Sequence, residues 1–94
     1  MKTKGEGMNE SEFLEILSDD EISGSDMGDK CNALAGLKII QKYLPNMGVE
    51  WASHDIIGST SIGGILKAGI TKDDATTLSK LNWMEHNDSL ACFV

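Results

Sequence analysis

The stretch "GVEWASHDIIG", residues 48–58, decides how much sheet this chain can build. Val49, Trp51, Ser53 and Asp55 alternate with Glu50, Ala52, His54 and Ile56, and a strand turns successive side chains to opposite faces. β-Branched and aromatic residues are enriched here, so the stretch reads as one strand over 49–57. Such a strand needs a partner. The tail "SLACFV", 89–94, follows the turn-like "EHND" and supplies one, pairing antiparallel with 49–57 and covering its edge.

Helical patterns flank this strand. In "DKCNALAGLKIIQKYLP", 29–45, Cys31, Leu34, Leu37, Ile40 and Leu44 recur at helical spacing, and Pro45 ends the helix. Gly36 inside it costs about 1 kcal/mol against alanine, which implies a neighbour packed close at that point. "STSIGGILKAG", 59–69, offers Ser59, Thr60 and Ser61 as caps, then a short helix that Gly69 ends. In "ITKDDATTLSKLNW", 70–83, Thr71 is the N-cap and Ala75, Leu78 and Leu81 form the buried stripe, with Trp83 closing the end. The expected fold is a small α+β domain over 29–94, three helices packed on a two-stranded antiparallel sheet.

Residues 1–28 read differently. Through Asp29 there are nine acids against Lys2 and Lys4, which is the whole formal charge of −7. From Lys30 onward, six lysines balance six acids. Glycines 5, 7, 24 and 28 punctuate the acidic part, so 1–28 is expected to be a largely disordered arm. Within it, 11–18 can form a short helix carrying Phe13, Leu14, Ile16 and Leu17, with Asn9 and Ser11 as candidate caps. A helix of about two turns holds in water only when it docks, either on the rest of this chain or on another molecule.

Ninety-four residues make room for one small domain. No run approaches the roughly 18 apolar residues of a membrane span, and "MKTKGEGMNE" lacks the apolar stretch of a secretory signal. A cytoplasmic protein with free thiols follows, Cys31 and Cys92 both buried as small hydrophobes. All eight basic residues are lysine. Without arginine's planar fork, and with an acidic segment that repels phosphate, direct nucleic-acid recognition is not expected.

Motifs that tempt a sharper reading each miss a requirement. From Asp19, the loop 19–30 has Glu21, Ser23 and Gly24 at positions 3, 5 and 6 of a calcium-binding EF-hand. Position 12 must be a bidentate glutamate, and it is Lys30; position 8, normally apolar, is Asp26. Cys31, His54, His86 and Cys92 contain no pair at the spacing of a zinc knuckle. Ser53, His54 and Asp55 are adjacent on a strand, where Ser53 and His54 face opposite ways and cannot act as nucleophile and base.

The segment "LKAGITKDDATTLSKLNW", 66–83, resembles the helix–hairpin–helix modules that hold a DNA backbone, with a Gly-Ile turn between two short helices. That resemblance implies phosphate binding at the turn. Here, however, Thr71-Lys72-Asp73-Asp74 presents two acids where the family offers glycine N–H groups, so a hairpin that packs a core is expected instead.

The function expected from these residues is non-enzymatic: an interaction or regulatory module without cofactor or metal, of the kind found in bacteria and their phages. Its partner would be a protein with a basic surface, not nucleic acid or membrane. Candidate partner-binding residues are Glu10, Glu12, Phe13, Glu15, Asp19, Asp20, Glu21 and Trp51, the last expected to be partly exposed among polar neighbours. The alternative is a metal-binding protein, with calcium at 19–30 or zinc on the Cys/His set, or a small enzyme.

Overall fold

His54 adopts a left-handed backbone, φ 55°, and this breaks the single strand expected over 49–57. In the computed structural model, which describes residues 8–25 and 31–93, the stretch is a hairpin. β1 is Trp51–Ser53 and β2 is Ile56–Ser61, with Ser53 opposite Ile56 across the two-residue turn. A second hairpin joins β3, Trp83–His86, to β4, Ser89–Phe93. Its turn residues Asn87 and Asp88 both have positive φ, 52° and 65°, the requirement of a type I′ turn. The sheet is therefore four-stranded and antiparallel, in the order β1-β2-β4-β3, not two-stranded.

The expected tail strand exists, but it lies inside the sheet and covers no edge. It pairs with β2, Ile56 opposite Phe93 and Ile57 opposite Cys92, and on its other side with β3. Register shifts between Gly58 and Ser61, a bulge after which the β2–β4 ladder resumes with Ser61 opposite Ser89. Ser61 then caps the next helix, its hydroxyl accepting from the Gly64 N–H at 3.0 Å.

Among the described residues four helices, not three, pack against this sheet. They are α1 Glu10–Leu17, α2 Asn32–Tyr43, α3 Ile62–Lys67 and α4 Lys72–Lys80. Asn9 closes a capping box at the start of α1: its side chain accepts from the Glu12 N–H at 2.8 Å, and Glu12 accepts back from the Asn9 N–H at 3.3 Å. α1 does not sit on an arm. Phe13 and Leu17, one turn apart, join Ile40, Ile62, Ile65, Ala75, Leu78, Trp83, Leu90 and Cys92 in a single core. Ser79 of α4 further ties it down, donating to the Ile16 carbonyl at 2.9 Å. The reading of 1–28 as a separate arm therefore fails for 8–25, because Phe13 and Leu17 have an apolar partner within the chain; residues 1–7 and 26–28 lie outside the described residues.

α2 is rotated from the expected stripe. Leu34 is 53% exposed, and the faces turned inward carry Gly36 and Ile40. The cause is Trp83, whose indole lies where a Gly36 side chain would be: a Cβ there would meet Nε1 at 1.9 Å. The indole N–H donates to the Asn32 carbonyl at 2.9 Å. Trp83 thus opens β3 and fills the core; it does not close a helix. The same rotation leaves Cys31 exposed, contrary to expectation, while Cys92 is buried. Among the described residues, no helix is long and apolar enough to cross a membrane.

Candidate functional site

A concavity lined by described residues runs between α1, the turn that follows it, and the edge strand β3. Leu14 and Leu17 of α1 give it an apolar wall and β3 borders it at Met84 and Glu85; Ser18, Asp20, Ser23 and Glu85 are polar. Its volume is about 430 Å³. Local chemistry explains why the groove holds this shape. Ser18 ends α1, its hydroxyl donating to the Leu14 carbonyl at 2.9 Å. Asp19 turns the chain by accepting from the Glu21 N–H at 2.9 Å. Gly24, at φ 71°, then donates its N–H to the Ser79 carbonyl at 2.8 Å, which anchors the far side of the turn on α4. Opposite, the Glu85 carboxylate accepts from the Asp88 N–H at 2.8 Å and is held by its own hairpin turn. Among the described residues, two carboxylates and no lysine line the groove.

The eight candidate partner-binding residues do not form one patch. Asp20 lines the groove; Glu15 and Glu21 are exposed on its flanks, and Asp19 is half-buried and engaged in the turn. Glu10 is exposed at the start of α1. Glu12 is occupied twice, in the capping box and in an ion pair with Lys72 at 3.4 Å. Phe13 is wholly buried and presents nothing to a partner. Leu14, Met84 and Glu85 were not legible as site residues, because "WMEHND" reads as a helix end followed by a turn. The alternation of Trp83, Met84, Glu85 and His86 before Asn-Asp was the available signal.

Trp51 lies elsewhere, on the face of the sheet that no described helix covers. Trp51, Gly58, Ala91 and Met84 stand opposite one another across the four strands and so share that face. The indole of half-buried Trp51 lies flat over Gly58, where a Cβ would meet it at 2.0 Å. Its N–H reaches the Ser89 hydroxyl at 3.4 Å, and its ring approaches His86 at 5.7 Å. Ala91 beneath is fully buried, whereas Phe93 on the same face is 47% exposed. Among the described strand residues, no Asp, Glu or Lys lies on this face.

A third polar cluster locks the end of α2 to the start of α4. The Tyr43 hydroxyl and the Lys42 ammonium, the latter at 2.8 Å, both donate to Asp74 Oδ2. Tyr43 also accepts from the Thr71 N–H at 3.3 Å. Burial pushes the Asp74 carboxyl up, but the hydrogen bonds from Lys42 and Tyr43 and the lysine charge outweigh it, so it ends below its ordinary range. The Asp74 carboxylate satisfies both donors, and the cluster ties α2 to α4.

Among the described residues, no group of three or more His, Cys, Asp or Glu side chains stands close enough to hold a metal ion. His54 is on the β1–β2 turn and His86 beside Trp51, each exposed, while Cys92 faces the core. Asp26 and Lys30, on which the calcium-loop reading turned, lie outside the described residues. No protein-family model matches the chain, and comparison with curated proteins and with solved structures likewise returns no match.

Proposed function

We propose that this protein is an interaction module whose groove between α1 and β3 takes a segment of a partner protein bearing apolar and basic side chains. The observation that carries the reading is the groove's composition: an apolar wall from Leu14 and Leu17 beside the carboxylates of Asp20 and Glu85. Apolar contacts supply affinity, and lysine or arginine on the partner meets acids already held in place. Exposed Glu15 and Glu21, with Glu10 farther along α1, extend the negative field and speed encounter. The acids act from a folded surface in this reading, not from a free arm.

Peptide display on the full chain provides the test. Enriched peptides should pair Lys or Arg with Leu, Met or aromatic residues, and association should slow as salt rises. In ¹⁵N-labelled protein, shifts should concentrate at Leu14–Ser23 and Met84–Glu85. Asp20→Asn and Glu85→Gln should each weaken binding by up to about fivefold, the scale of a rim ion pair.

The charge-free sheet face around Trp51 favours a second reading, an apolar contact centred on the indole, since tryptophan is enriched among residues that dominate interfaces. Shifts confined to Trp51, Ala91 and Phe93, with no salt dependence, would establish that reading and overturn the first.

A further inference from the structure

We propose that Cys31 and Cys92 form a thiol pair that closes to an intramolecular disulfide when the chain meets a small organic disulfide. The fold brings together residues that lie far apart in the sequence. Asn32, directly after Cys31, donates from Nδ2 to the Phe93 carbonyl at 3.4 Å and to the Leu81 carbonyl at 3.0 Å. Its own carbonyl accepts from Trp83, and Trp83 stands opposite Cys92 in the β3–β4 register. Each cysteine is therefore one residue away from a direct contact between α2 and β4. Burial first, and the charge of Cys31 second, push the Cys92 thiol up to about 11.

Their surroundings assign them different roles. Cys92 is fully buried and stays protonated, so it is inert towards reagents in solvent. Cys31 is exposed, and its side chain makes no cap hydrogen bond to α2, so it is free to react and to turn inward. The Cys31 thiolate attacks one sulfur of the small disulfide, forming a mixed disulfide and expelling one thiolate, which takes up the Cys31 proton. Cys92 then loses its proton and attacks the Cys31 sulfur, releasing the second small thiol. Two protein thiols are oxidised and one small disulfide is reduced to two thiols. The new bond ties the start of α2 to β4 and closes a long loop, which restricts the unfolded chain.

Oxidised glutathione and the reduced full-length chain make the test. The expected product is a monomer lighter by two hydrogens. Its peptide map should join the Cys31 and Cys92 segments, and its Tm should be higher than that of the reduced chain. Cys92→Ala should stop at a glutathione adduct on Cys31, and Cys31→Ser should acquire no adduct. A wild-type chain that accumulates the Cys31 adduct while Cys92 remains a thiol overturns the proposal, as does a product linked between chains. Both outcomes are read from the wild-type map and do not depend on a variant folding.

Discussion

At Gly36, two effects on stability oppose each other, and distance decides between them. Alanine is the better helix former by about 1 kcal/mol, so Gly36→Ala would stabilise a helix standing alone. Here the added methyl would land 1.9 Å from Trp83 Nε1 and 2.3 Å from its Cε2. The indole fills the core and is bonded to Asn32, so it has nowhere to go. Gly36→Ala should therefore destabilise the protein by about 1–3 kcal/mol, the usual cost of overpacking. Urea denaturation measures it, and a variant as stable as the parent would refute the packing described. Asp74 gives a pH-dependent counterpart. Its folded pKa lies below its unfolded one, so its contribution is complete above the ordinary aspartate value of about 3.9. That contribution is lost as pH falls through the depressed folded value. Asp74→Asn should cost about 1.5–3 kcal/mol at neutral pH, the range for a hydrogen bond to a charged group. The gap from the parent should close in acid; an unchanged gap in urea titrations at low pH would show that the carboxylate charge is not what matters.

Among the elements, α1 shows how far local pattern reaches. Its capping residue Asn9 and the apolar set Phe13, Leu14, Ile16 and Leu17 were legible, because caps and helical spacing are short-range features. Its docking was not, because the surface that receives Phe13 is assembled from α3, α4, Trp83 and Leu90, residues distant in sequence. Acidic composition pointed to disorder, yet the acids of α1 sit mainly on its outer side and leave the inner one apolar. The second strand was hidden for a different reason. Nothing in Ser53-His54-Asp55 marks a turn as Asn-Gly would, and a histidine with positive φ is a tertiary outcome. The candidate groove inherited both failures, since it exists only where α1 meets β3. If α1 is part of the core, Phe13→Ala should cost about 3–5 kcal/mol, a large share of a total on the order of 10 kcal/mol for a chain of this size. Thermal unfolding followed by circular dichroism should show a cooperative transition at much lower temperature. A variant melting within a few degrees of the parent would return α1 to the status of an appendage.

Over the whole molecule, charge and packing are separated by layer. The carboxylates of 10–21 ride on the helical side, Phe13 and Leu17 beneath them belong to the core, and among the described strand residues the far side of the sheet carries no Asp, Glu or Lys. One chain thus offers two surfaces of opposite character, which is why salt dependence distinguishes the two proposed modes of contact. The position of β4 has a consequence of its own. Of the three strand pairings, only β1–β2 is made without it. A ribosome translating this message would therefore display a lone hairpin and an unpaired β3 until Ser89–Phe93 had cleared the exit tunnel. Up to that moment Trp83 has Cys92 missing from beside it, and no part of the sheet beyond the first hairpin can form. Synthesis order thus places the keystone after both strands it joins, and a nascent chain stalled just short of it leaves apolar surface open to aggregation.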